Sequence, residues 1–187
     1  MVWYISSLIG QNLKFHFLGD EYRLFQEGSI EPTAYNIIVQ KACAASLHDF
    51  VLPVISAVLC RLDISYSIGF RLESFQETYF CSSAGVELNE VHRAHAQKKS
   101  LAIYANLDEL EKREKERFDL ISMAYILQYL PTPVDYHVRL RERFLASDGW
   151  LMLEEPNLLP HDSFETAHLL FAFSIHKLRQ MMGKVGY

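Results

Sequence analysis

Apolar positions along this chain change period several times, and the changes predict alternating helices and strands. From Thr33 to about Ala57 the residues Ile37, Ile38, Ala42, Ala45, Leu47 and Val51 recur at near-helical spacing, which predicts one or two helices. Val58 to Ile64 then reads as a strand, and Phe70 to Tyr79 as a helix burying Phe70, Leu72 and Phe75. A short apolar strand follows over Ala84–Leu88. Asn89 is placed to cap the next helix, with Glu90 in its first turn and Lys98 and Lys99 in its last, where they suit the helix dipole. Leu101–Tyr104 and Phe118–Met123 predict two further strands, separated by the charged run Asp108–Arg117, which reads as a solvated helix. A helix is expected from Val134 to Leu145, a turn at Ser147-Asp148-Gly149, and a buried strand over Trp150–Leu153. Phe171, Ile175, Leu178 and Met182 form a last helical stripe ending near Gly183. Strands alternating with helices predict an α/β fold, a doubly wound and mostly parallel sheet. Residues 1–34 show no sustained period, so residues 1–54 are expected to form a helical lead-in to a domain over 55–187.

Composition narrows the functional classes. The 187 residues are half hydrophobic, enough for one domain with a real core. With 18 basic against 23 acidic side chains and a net charge of −5, no basic stripe is present to neutralise a phosphate backbone, so nucleic acid is not an expected partner. The longest apolar run, Phe50–Cys60, is too short for a bilayer and contains Pro53, and the N-terminus lacks the basic start of a signal peptide. Three scattered cysteines, Cys43, Cys60 and Cys81, suit neither a disulfide framework nor zinc, which points to a reducing, cytoplasmic setting. No His, Cys, Asp and Glu cluster has metal-ligand spacing.

The candidate chemistry lies between Leu62 and Asn89. A strand ending in an acid at Asp63, a small-residue turn, a helix, and a second strand ending in Glu87 make up the front half of a nucleotide-binding βαβ unit. Glu87 stands roughly 20 residues beyond the turn, where an acid can accept hydrogen bonds from a ribose diol. The turn holds Ser65 and Ser67 at positions where such loops use glycine, and retains Gly69. If those positions need left-handed angles, each serine costs on the order of 1 to 2 kcal/mol.

Four ordered blocks resemble the class I S-adenosylmethionine-dependent methyltransferases, in particular their ubiquinone-biosynthesis-like, small-molecule branch. Leu62-Asp63-Ile64-Ser65-Tyr66-Ser67-Ile68-Gly69 is similar to the family's first motif, and Gly85-Val86-Glu87-Leu88-Asn89 to its acid-ended second strand. Phe118-Asp119-Leu120-Ile121 through Leu127-Gln128-Tyr129-Leu130 resembles the fourth strand and its loop, with Gln128-Tyr129 where the family often has Glu-His. Asp148-Gly149-Trp150-Leu151-Met152-Leu153-Glu154-Glu155-Pro156-Asn157 resembles the fifth strand, and the helix carrying His168, Phe173, Ser174 and Leu178 matches the pattern that follows. The resemblance implies S-adenosylmethionine as cofactor and a small-molecule acceptor. It implies a cofactor site at Asp63, Ser65, Ser67, Gly69, Glu87 and Leu88, with Leu107 and Asp108 near the adenine, and Ala124 and Tyr125 flanking the cofactor by backbone contacts. Tyr129, His161 and His168 lie in segments that can face an acceptor, but no catalytic residue is assigned. In the family two antiparallel strands that end the sheet follow the helix closing at Gly186-Tyr187; here they are missing, so the domain is expected to be incomplete at its C-terminus, its open edge covered by a second copy or partner chain unless the chain is truncated or a decayed relative. Two other readings stay open: a non-catalytic methyltransferase-like module of assembly or regulation, suggested by the serines and the absent Glu-His pair, and a weaker nicotinamide oxidoreductase reading, which lacks its Gly-x-Gly-x-x-Gly motif.

Overall fold

The structure, a computed structural model, describes residues 2–6, 37, 41, 45, 55, 57–64, 68–124, 126–155 and 175–187. The strands are β1 (Val2–Ser6), β2 (Cys60–Ile64), β3 (Ser82–Val86), β4 (Ala102–Tyr104), β5 (Phe118–Ala124) and β6 (Leu145–Glu155). Between them run α1 (Phe70–Tyr79), α2 (Glu90–Gln97), α3 (Leu107–Arg113), a short 3₁₀ turn (Leu127–Tyr129) and α4 (Pro133–Arg139), which widens into a π turn over Leu140–Phe144; α5 (Ile175–Val185) follows β6. The strands form one sheet in the order β1-β6-β5-β2-β3-β4, and every pairing is parallel. The doubly wound α/β sheet read from the sequence is the fold of this chain.

Apolar side chains on the two faces hold the helices. Leu62, Ile64, Ile121, Met123, Leu151 and Leu153 point to one face, where they pack with Leu107 and Leu110 of α3, with Leu140 and Phe144, and with Leu178, Met181 and Met182 of α5. On the other face Phe75 of α1 meets Leu120, Met152 and Cys81, and Leu72 of α1 packs on Ala96 of α2. α1 spans the residues that its pattern predicts, and Asn89 caps α2 as expected, its Oδ1 accepting from the amides of Val91 (2.9 Å) and His92 (3.2 Å).

Four expectations need correction. Val2–Ser6 form a strand within the stretch expected as a helical lead-in. Their Val-Trp-Tyr-Ile composition favours an extended chain, and they pair with Leu151–Glu155 along the outer edge of β6. That edge, expected to lie open, is therefore covered by the chain's own first strand. The Ser147-Asp148-Gly149 turn does not precede the last strand but lies inside it. Phe118 faces Leu145 while Leu120 faces Trp150, so the intervening residues leave the ladder as a bulge. Finally, α5 runs through Gly183 and stops at Gly186, whose φ of +88° lets the amides of Gly186 and Tyr187 close back on the Met182 carbonyl (3.1 and 3.2 Å). A side chain at Gly186 would also meet the Arg141 guanidinium at 3.1 Å.

Candidate functional site

β2 and β5 lie side by side, yet the chain leaves β2 toward β3 and β4 on one side and leaves β5 toward β6 on the other. Loops that leave a parallel sheet in opposite directions open a crevice at the carboxyl ends of the strands, where such folds bind ligands. The ends of β2, β3 and β5 and the start of α1 converge there.

Gly69 opens α1 in the left-handed conformation, with φ of 88°, and is buried. A residue with a Cβ would be strained at that angle, which explains why this glycine of the turn is retained. Ser65, Ser67 and Tyr125 lie outside the described residues, as do His161 and His168. Glu87 follows β3 directly and is buried, its Oε1 accepting from the Asn89 amide at 2.9 Å. The turn around it is tied down by Arg93, whose Nη1 donates to the carbonyls of Glu87 (2.9 Å) and Leu88 (2.7 Å). Leu88 is 70% exposed beside that buried carboxylate, an apolar side chain held in the open by its neighbours' hydrogen bonds. Ala124 closes β5 and is buried.

Asp63 sits lower, on β2, and is wholly buried. Its carboxylate takes a forked pair from Arg71, Nε to Oδ2 and Nη2 to Oδ1, both at 3.1 Å. Arg61 Nη2 approaches Oδ2 at 3.1 Å, and the Ser122 hydroxyl donates to Oδ1 at 2.8 Å. Four donors match the four lone-pair sites of a carboxylate. Arg61 is itself wholly buried, with its guanidinium 3.9 Å from the centre of the Phe75 ring. Burial lowers its pKa to about 10 against the pull of Asp63, which leaves it charged at neutral pH. These two arginines are the site residues that sequence reasoning did not single out. A signal was there: Arg61 and Asp63 alternate with Leu62 and Ile64, so one face of β2 had to be polar.

The adenine-side pair divides. Leu107 is buried at the start of α3, whereas Asp108 is exposed and pairs with Arg139 of α4 at 2.7 Å, beside the Arg139–Glu111 pair. Tyr129, at the end of the 3₁₀ turn after β5, is 48% exposed and so is not a core aromatic. Among the described residues no group of three or more His, Cys, Asp or Glu could hold a metal ion, and no helix is long and apolar enough to cross a membrane.

A family model described as a methyltransferase domain matches residues 35–187. No curated protein matches the chain significantly. Solved structures similar to it include a SAM-dependent methyltransferase from Archaeoglobus fulgidus, at 18% identity and a TM-score of 0.66, covering 89% of this chain and 74% of that one. The plantazolicin methyltransferase BamL, solved with a desmethyl analogue and SAH, shares 13% identity at a TM-score of 0.63, over 92% of this chain and 70% of its own. The SAM-bound amino pentose methyltransferase CalS10 from Micromonospora echinaspora shares 20% identity at 0.54, over 75% of this chain and 58% of its own. At these identities the likeness is one of fold. The family match covers most of the chain, which belongs to the methyltransferase-domain family.

Proposed function

Taking that family as premise, we propose that the chain binds S-adenosylmethionine in the crevice at the ends of β2, β3 and β5 and transfers its methyl group to a small-molecule acceptor in the cytoplasm. The observation that carries the reading is Glu87, an acid buried at the end of β3 and pinned by Asn89 and Arg93, with an exposed apolar neighbour in Leu88. A fixed carboxylate of this kind accepts two charge-assisted hydrogen bonds from a ribose diol, and Leu88 offers an apolar surface to a purine ring. Gly69 gives the close main-chain approach that the turn needs, and Leu107 and Ala124 line the flanks. In this reading Asp63 supports the turn from below, because its oxygens already serve Arg61, Arg71 and Ser122. Asp108, engaged by Arg139, acts as an ordinary helix N-terminal acid.

S-adenosylmethionine, when bound, would supply a sulfonium methyl for in-line transfer to the acceptor, with S-adenosylhomocysteine as the leaving group. The chain's share of the work is to hold the two partners in line and to exclude water. Tyr129, exposed after β5, is the described side chain we place nearest the acceptor, and it can orient a hydroxyl or amine there. The ubiquinone-biosynthesis-like branch remains our choice within the family, on its ordered sequence blocks, as does a methyltransferase domain over 55–187.

Calorimetric titration of S-adenosylhomocysteine tests the reading. The natural chain is expected to bind, and Glu87→Ala to weaken binding roughly 10- to 100-fold through loss of charged hydrogen bonds. A second reading, a non-catalytic module, is favoured by Ser65 and Ser67 in the turn. Binding that emerges only in a Ser65→Gly, Ser67→Gly double variant would choose it.

A further inference from the structure

We propose that Arg71 is a positioning residue that holds the start of α1, where it leaves the cofactor turn at Gly69, and ties it to β6 through a buried bridge from Asp63 to Glu154. The inference rests on the cofactor reading above and goes beyond it by assigning a residue outside the turn.

α1 is pinned to the sheet at the residue that follows the turn most closely with a side chain able to reach β2. The main-chain carbonyl of Arg71 accepts from Arg61 Nη1 at 2.9 Å, while its side chain forks onto Asp63. Main chain and side chain are therefore both held by β2, only two residues beyond left-handed Gly69. Arg61 adds a third hold one turn later, through its contact with the Phe75 ring. The first turn of α1 cannot shift relative to β2 without opening these contacts in a dry interior, where opposite charges separate at high cost.

The bridge also runs sideways. Asp63 on β2 is level with Ser122 on β5, and the Ser122 hydroxyl accepts from Arg61 (2.8 Å) as it donates to Asp63 (2.8 Å). Arg71 Nη1 lies 3.8 Å from Glu154 Oε2 on β6, and Glu154 is level with Ala124 at the end of β5. Arg71 and Glu154 are both buried. One guanidinium thus spans the strand that leads into the cofactor turn and the strand that flanks β5, whose end closes the other side of the crevice. Arg71 touches neither partner of the reaction; it fixes the distance between the elements that would.

The test compares Arg71→Lys, which keeps the charge and loses the fork, with Arg71→Met and Glu154→Gln, reading affinity for S-adenosylhomocysteine, melting temperature and amide exchange over Gly69–Leu72. The bridge predicts roughly tenfold weaker binding in Arg71→Met, partial recovery in Arg71→Lys, and faster exchange confined to Gly69–Leu72 while α2 keeps its protection. Glu154→Gln is expected to weaken binding in the natural background and to add little in Arg71→Met, since the two act through one contact. A lower melting temperature with unchanged affinity and unchanged local exchange would mark a purely structural ion pair and overturn the proposal. Should Arg71→Met not fold, Arg71→Lys and Glu154→Gln decide by the same two readouts. Should the natural chain bind no S-adenosylhomocysteine, the cofactor reading falls and local exchange alone judges the bridge: faster in Arg71→Lys sustains it, unchanged exchange rejects it.

Discussion

The two faces of the sheet solve the burial problem in opposite ways. Along β2, Leu62 and Ile64 turn to a face of aliphatic side chains, while Arg61 and Asp63 turn to a face that carries charge into the interior. Parallel strands covered on both sides usually read as apolar throughout. The polar face here survives because each charge has a partner: Arg61 stays protonated at neutral pH beside Asp63, and Arg71 lies between Asp63 and Glu154. His137 shows the other outcome. It is wholly buried beside α5 on the aliphatic side, its ring edge-on to Tyr187, with no hydrogen-bond partner for either ring nitrogen among the described residues. Burial alone lowers its pKa to about 4, so it is neutral where Arg61 is charged. The difference teaches that the interior accepts ions where the sheet supplies counter-ions, and otherwise keeps its titratable groups uncharged.

The largest effect expected from this contrast is at Asp63. Asp63→Asn keeps the shape and removes the charge shared by two buried arginines, and should cost about 4 kcal/mol in urea unfolding. A loss below about 1 kcal/mol would mean that hydrogen bonding, not charge, holds the polar face. Next comes His137. Its folded pKa of about 4 lies below the unfolded 6.5, so the unfolded chain takes up a proton first as pH falls. Its contribution is fully present above pH 6.5 and is lost progressively down to about pH 4, by about 3 kcal/mol. His137→Leu should flatten that part of the stability profile, and an unaltered profile would assign the slope to other groups. The smallest effect belongs to the aliphatic face, where Ile121→Val removes one methylene and should cost about 1 kcal/mol at any pH from 5 to 8. A pH-dependent cost there would show that Ile121 is coupled to a titrating group, His137 on the same face first among them.

Much of the architecture was legible in the sequence because it depends on local rules. Phe70–Tyr79 carries its own helical stripe, and Asn89 its own cap, so neither needs a distant contact to be recognised. The place of Glu87 at the end of a strand beyond the turn was legible from the local apolar pattern. The polar network was not, because it joins residues from β2, α1, β5 and β6 that only the fold brings together. Asp63 was expected in the cofactor site, and a reader of β2 alone cannot know that an arginine eight residues on will reach back to it. Ser147-Asp148-Gly149 misled for the converse reason: its turn residues do make a local excursion, but β6 resumes its pairing beyond them. Local chemistry was read correctly there, and its tertiary setting was not.

The pairing of β1 with β6 sets an order for folding. Val2 lies opposite Leu151, so the chain's first strand finds its neighbour only after nearly everything between them has been synthesised. Contacts so distant along a chain close slowly, and the loop entropy they cost is repaid last. During translation Val-Trp-Tyr-Ile therefore waits as an unpaired, sticky ribbon while β2 to β5 can already assemble beside it. Refolding that is fast at the β2–β3 side and slow at Val2–Ser6 would be the kinetic trace of that wait.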